Sequence, residues 1–191
     1  YSILLKQRII SIKKFNLLKK KALLGGQLDT FNLAKHVDWN TGSLGHSIGV
    51  CIGFAIANPK KKVWTIVGDA EIDEGSVWEA LFFISEKKID NIIIIIDRNR
   101  LSASSYIEKK EVLDNNILNQ LRFSVTKING HNHQSIAKCY DQAIKSKKSS
   151  IIIANTIKGK GFGIAENNIK YSHQSIKNSE ISELIKYYEQ T

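Results

Sequence analysis

The sequence predicts an α/β fold: a doubly wound, mainly parallel sheet with helices on both faces. Three observations carry this expectation. Segments of strand character alternate with helical segments three times in succession, the order that a parallel sheet with crossover helices requires. The run that leads from Asn91 through Ile92 to Ile96 is apolar without alternation, and a strand covered on both faces belongs inside a parallel sheet. The strand-like segments end in turn-forming clusters, Gly68-Asp69-Ala70, Asp97-Arg98-Asn99 and Asn129-Gly130-His131, which reverse the chain at the sheet's edge.

Taken in order, Ile3, Leu4, Ile9, Ile10, Phe15, Leu17 and Leu18 recur at helical spacing and predict a helix over 3–24, stopped by Gly25-Gly26. Residues 27–41 are polar and read as a loop. The stretch 44–57 is apolar and small, with Gly45, Ser47, Gly49, Gly53, Ala55 and Ala57; a helix of such residues can approach a neighbour closely. Asn58-Pro59 ends it. The β-branched run 63–67 predicts a short buried strand. A helix follows over 76–87, with Val77, Ala80, Leu81 and Ile84 on one face. Beyond the apolar strand 91–96, a third strand is expected over 123–128, a helix over 135–144 and a fourth strand over 150–156. A Gly-rich loop spans 158–163, and a last helix spans 179–189. With no repeat, low-complexity segment or linker, residues 1–191 read as one domain.

Hydrophobic residues make up 42% and charged residues 24%, which excludes disordered and fibrous classes. The apolar run at 92–96 is far too short to span a bilayer, and the N-terminus lacks the charged cap and apolar block of a signal peptide; a cytoplasmic location and no membrane partner are expected. The sequence starts at Tyr1 and has no Met, so residues upstream are expected. Cys51 and Cys139 show no CxxC spacing and read as two buried thiols of a reducing cytosol, in preference to a disulfide. The net charge of +10 raises the question of nucleic acid. The lysines are scattered, however, and no RNA-binding aromatic motif, zinc knuckle or helix-turn-helix pattern accompanies them, so no nucleic-acid partner is expected.

In an open parallel sheet, ligands bind beyond the carboxyl ends of the strands. Asp69 and Asn99 stand there, thirty positions apart, on either side of the helix 76–87 and the all-apolar strand. Singly, Asp69 reads as an N-cap and Asn99 as a turn residue. Together, a carboxylate and an amide oxygen suit Mg²⁺, and helix N-termini nearby offer N–H groups to a phosphate. Other motifs point less far. Gly159-x-Gly161-x-Gly163 lacks the third glycine of a dinucleotide loop, having Ile164 there. His131-x-His133 has no third ligand at a matching spacing and reads as a turn with solvated histidines. Trp64 and Trp78 read as core residues.

The segment Gly68-Asp69-Ala70-Glu71-Ile72-Asp73-Glu74-Gly75-Ser76-Val77-Trp78-Glu79-Ala80, followed by Asp90-Asn91 and Asp97-Arg98-Asn99, resembles the thiamine-diphosphate motif of transketolases, which opens on Gly-Asp-Gly and closes on Asn about thirty residues later. Thr41-Gly42-Ser43-Leu44-Gly45-His46-Ser47 resembles the family's cofactor-side loop and helix. Asn129-Gly130-His131-Asn132 resembles its Asp-Gly-His-Asp turn. Lys158-Gly159-Lys160-Gly161, with Glu166-Asn167-Asn168 and His173, resembles the segment that brings a histidine to the active site. The likeness runs from about Thr41 to the C-terminus.

The resemblance implies thiamine diphosphate and Mg²⁺ as cofactors. It implies that Asp69 and Asn99 ligate Mg²⁺ by side chain and Leu101 by its carbonyl. Gly68 and Ala70 would form the turn against the diphosphate, with the Ala70 N–H facing it. Gly42 and Leu44 would line the cofactor channel, Glu74 would lie in a subunit-contact network, and His173 would sit near the sugar's reacting oxygens. The implied reaction transfers a two-carbon ketol unit between sugar phosphates. It needs a glutamate from a pyrimidine-binding domain or C-terminal transketolase subunit that this sequence does not contain, in a dimer or heterotetramer. Two departures stand out: Ala70 replaces the family's usual glycine, and Gln27 falls about where its Gly-His-Pro histidine would be, a role to which His36 is not assigned. The alternatives are the related synthase that condenses pyruvate with glyceraldehyde phosphate, and a non-catalytic partner subunit.

Overall fold

The computed structural model describes residues 1–17, 30, 33, 35–107, 113, 117–172, 174 and 177–189. The chain divides into two compact units, Tyr1–Leu44 and Gly45–Thr191.

In the first unit the helix predicted over 3–24 is broken. Helix α1 (Ser2–Lys6) ends at Gln7, Arg8 takes a left-handed φ of 60°, and α2 (Ile12–Phe15) starts anew. The cause is local: the Ser11 side chain accepts the Lys14 N–H at 3.2 Å and caps a new helix, in competition with continuation of the first. Ile10, Leu33 and Val37 form the buried cluster, with Tyr1, Leu4, Leu5, Ile9 and Phe15 packed against it. The predicted stop at Gly25-Gly26 and Gln27 lie outside the described residues.

The second unit carries the sheet. Helix α3 (His46–Ala57) leads to β1 (Val63–Gly68), α4 (Gly75–Glu86) and β2 (Ile92–Arg98). The short α5 (Ile117–Gln120) precedes β3 (Ser124–Asn129), α6 (His133–Lys145), β4 (Ser150–Asn155) and α7 (Ile181–Glu189). Among the described residues the sheet has the order β1-β2-β4-β3, and every pairing is parallel. Alternate residues of the central strands enter two cores. Ile92, Ile94, Ile96, Ile151 and Ile153 pack with Ile48 and Ala55 of α3 and Val77, Ala80, Leu81 and Ile84 of α4. Ile93, Ile95, Ile152 and Ala154 pack with Cys139 and Ala143 of α6. Helices therefore cover both faces, which explains why β2 and β4 read as unbroken apolar runs. Each such buried Ile contributes roughly 1.5–3 kcal/mol.

β1 departs from expectation. Among the described residues it is an edge strand, not a buried one: Thr65 and Val67 turn into the core, whereas Trp64 is 37% and Ile66 67% exposed. Trp64, read as a core residue, instead packs at a tilt of 55° against Tyr140 with ring centroids 5.0 Å apart. Trp78 is half-buried against the core, and its indole N–H donates to the Ile72 carbonyl at 2.8 Å. Cys51 and Cys139 are free and buried, and burial pushes both thiols above their ordinary pKa. No helix of the described residues is long and apolar enough to cross a membrane.

Candidate active site at the carboxyl ends of the strands

Parallel pairing sets the site's frame. Gly68 lies opposite Asp97 in the β1–β2 register, so the turn after β1 rests against the exit of β2. The Asp69 N–H donates to the Asp97 carbonyl at 3.2 Å. The Asp69 side chain, 1% exposed, accepts the Arg100 N–H through Oδ2 at 2.7 Å. Since Arg100 follows Asn99 directly, the carboxylate is fixed to the segment that carries the amide.

Asn99 is held on both sides. Its Nδ2 donates to Asp97 Oδ2 at 3.2 Å, and its Oδ1 accepts the Leu101 N–H at 3.0 Å. Asp97 is in turn fixed by the Thr156 hydroxyl, which donates to Oδ1 from the exit of β4. Leu101 is buried and bridges Tyr106, closing a small loop. Ala70 has φ −70° and ψ −33°, ordinary for any L-residue. Glu74 is exposed and precedes α4 with extended backbone. Asp69, Ala70, Asn99 and Leu101 thus belong to adjoining turns. Gly42 and Leu44 fall in the first unit, both exposed, Gly42 with φ 112°. His173 lies outside the described residues.

Among the described residues no three His, Cys, Asp or Glu side chains are grouped to hold a metal. A cation here would depend on one carboxylate, one amide oxygen, main-chain carbonyls and oxygens of a ligand. That all-oxygen set matches what Mg²⁺ takes when it binds through one or two protein groups and a phosphate, so the residues fit the group.

Beside these turns lies a cleft of about 840 Å³, lined by Arg98, Asn99, Arg100 and Asn129, and by His131 and Lys160 among others. His131, read from sequence as solvated, is exposed in its turn and also ties two strand ends together. Its Nε2 accepts the Ile157 N–H at 2.7 Å and joins the β3 exit to the β4 exit. Glu166 orders the Gly-rich loop, accepting the Gly161 N–H at 2.9 Å and the Lys160 ammonium at 3.3 Å. The Gly161 N–H, with the Lys160 side chain next, holds its carboxyl below the ordinary value. Gly159, at φ 74°, is required there, because a Cβ would strike the Ala165 carbonyl.

Sequence reasoning missed three groups: Asp97, which orients Asn99; His131, which joins two strand exits; and Glu71. The Glu71 carboxylate folds back to accept the Gly45 N–H at 2.7 Å and the Gly68 N–H at 3.2 Å. All three stand inside motifs quoted from the sequence, which marked their positions and not these contacts.

The family model described as "Transketolase, thiamine diphosphate binding domain" matches residues 7–189. The chain is 33% identical over 153 residues to an apulose-4-phosphate transketolase subunit of Actinobacillus succinogenes, covering 76% of this chain and 55% of that protein. It is also 33% identical over 140 residues to the 6-deoxy-6-sulfo-D-fructose transketolase subunit SqwG of a Clostridium species, covering 70% and 51%. The chain thus spans about half the length of these two relatives. Among solved structures, the transketolase of Campylobacter jejuni superposes with a TM-score of 0.76 at 29% identity, over 85% of this chain and 27% of that one.

Proposed function

The chain belongs to the transketolase family, through its thiamine diphosphate binding domain, and on that premise we propose that it forms the diphosphate side of a transketolase-type active site. In this reading it binds thiamine diphosphate through Mg²⁺ and, with a pyrimidine-binding domain or C-terminal subunit, transfers a two-carbon ketol unit between sugar phosphates. One observation carries the reading: the buried Asp69 carboxylate is bonded to the Arg100 amide, one residue beyond Asn99, at the carboxyl ends of adjacent parallel strands.

Thiamine diphosphate, when bound, supplies the nucleophilic carbon and electron sink that cleavage beside a ketose carbonyl demands. This chain's residues do the rest of their half. Asp69 and Asn99 would hold Mg²⁺ by side chain and Leu101 by its carbonyl. The turn Gly68-Asp69-Ala70 would offer the Ala70 N–H to the diphosphate. Gly42 and Leu44 carry over as cofactor-lining residues and Glu74 as a subunit-contact residue. His173 holds or moves a proton at the sugar's oxygens. Two relatives bear names with a phosphate in one case and a sulfo group in the other; an anionic sugar substrate fits a cleft lined by Arg98, Arg100 and Lys160.

The test is reconstitution. The chain alone should give no ketol transfer, and addition of a pyrimidine-binding transketolase subunit should bring turnover that depends on thiamine diphosphate. Turnover by the chain alone would overturn the division of the active site proposed here.

A further inference from the structure

We propose that Glu71 is a positioning residue for the cofactor turn, clamping Gly68 and the start of α3 together so that Asp69 is held in place before any ligand arrives. The inference rests on the reading of Gly68-Asp69-Ala70 as the cofactor turn.

The physical need for such a clamp follows from topology. β1 is an edge strand that pairs only with β2 among the described residues. Successive N–H groups along a strand point to opposite sides. The Asp69 N–H is spent on the Asp97 carbonyl of β2, so the Gly68 N–H faces the other edge, where the described strands give it no acceptor. The Gly45 N–H, at the N-terminal cap of α3, likewise has no partner within its own helix. One carboxylate answers both: Glu71 Oε1 takes the Gly45 N–H and Oε2 takes the Gly68 N–H. Hydrogen bonds from N–H groups to an ionised acceptor are the stronger kind.

The junction is tied at further points. The Ser76 hydroxyl donates to the Gly45 carbonyl at 3.2 Å. Gly45, with φ 81°, approaches so closely that a Cβ there would lie 2.8 Å from Glu74 Cβ, which only glycine tolerates. The loop from Gly68 to Ser76 is therefore sewn to the α3 cap, and Asp69 sits within that loop. The 3-10 turn Glu71–Asp73 presents the carboxylate at the right place, three residues beyond Gly68. Removing it frees both glycine N–H groups and releases the turn at its outer side, while the core packing of α3 and α4 is untouched.

The test uses the full chain assembled with a pyrimidine-binding subunit, in wild-type, Glu71→Gln and Glu71→Ala forms. Three quantities are read: amide exchange at Gly45 and Gly68, thermal midpoint, and the dissociation constant for thiamine diphosphate with Mg²⁺ by tryptophan fluorescence. Expected are exchange at both amides faster by on the order of tenfold and affinity weaker by on the order of tenfold in Glu71→Ala. Glu71→Gln, which keeps one acceptor oxygen, should fall between, and the midpoint should shift by only a few degrees in either variant. Affinity unchanged in both variants would overturn the proposal, as would an affinity loss matched by an equal loss of global stability. A wild-type chain that fails to bind thiamine diphosphate with Mg²⁺ would instead overturn the proposed function, and this inference with it; the glycine exchange rates tell the two failures apart.

Discussion

At Ala70 the main chain has φ −70° and ψ −33°, so the side chain that replaces the family's usual glycine costs no backbone strain. A glycine there would mainly enlarge the freedom of the unfolded chain. Ala70→Gly should therefore destabilise the fold by about 0.5–1 kcal/mol in denaturant unfolding, with cofactor affinity little changed; a marked gain in affinity would mean that the methyl obstructs the diphosphate. Residues whose meaning lies in spacing were legible from sequence. That Asp69 and Asn99 come to adjoining turns was legible because a parallel sheet brings residues after successive strands together. The roles of Glu71 and His131 were not, because they arise when a side chain turns back on a main-chain group that no sequence pattern marks, and that of Asp97 was not, because it bonds the side chains of Asn99 and Thr156. Trp64 was misread for a related reason, since apolarity alone does not say whether a strand lies at the sheet's centre or its edge.

Among elements, the central strands and the helices α3, α4 and α6 were legible to within a few residues, because their apolar periods of two cores and one face are written in Ile, Val and Ala. The first helix was not, since a Ser11 cap outcompetes a continuous apolar pattern. The end of the chain shows how an element is fixed by one charge. Ahead of α7, Glu180 accepts Lys170 Nζ at 2.7 Å, the Lys177 N–H at 2.8 Å and the Tyr171 hydroxyl at 2.9 Å. The Lys170 bond first, then the Lys177 N–H and the Tyr171 hydroxyl, pull its pKa down to about 2. A carboxyl depressed on folding stabilises above its unfolded value, about 4.3, and loses that contribution as pH falls toward the folded value. The thermal midpoint of wild type should thus exceed that of Glu180→Gln by a constant margin at pH 6 and above. The margin should narrow below about pH 4.5 and vanish only below about pH 2; a margin unaffected by acid would show that Glu180 acts by packing alone.

On the scale of the whole molecule, the sheet order β1-β2-β4-β3 places two adjoining strand exits, β1 and β2, beneath the oxygen donors, and the exits of β2, β4 and β3 around a polar cleft. The second unit leaves apolar side chains exposed on α3 and α4, including Phe54, Ile56, Phe82 and Phe83, a composition suited to burial against a partner. The central claim, that Asp69 and Asn99 bind thiamine diphosphate through Mg²⁺, is tested most directly by calorimetric titration of thiamine diphosphate into the chain assembled with a pyrimidine-binding subunit. Wild type should bind in the presence of Mg²⁺ and not after chelation, and Asp69→Ala and Asn99→Ala should each weaken binding by at least about tenfold. Wild-type affinity in either variant, or binding indifferent to Mg²⁺, would contradict the account.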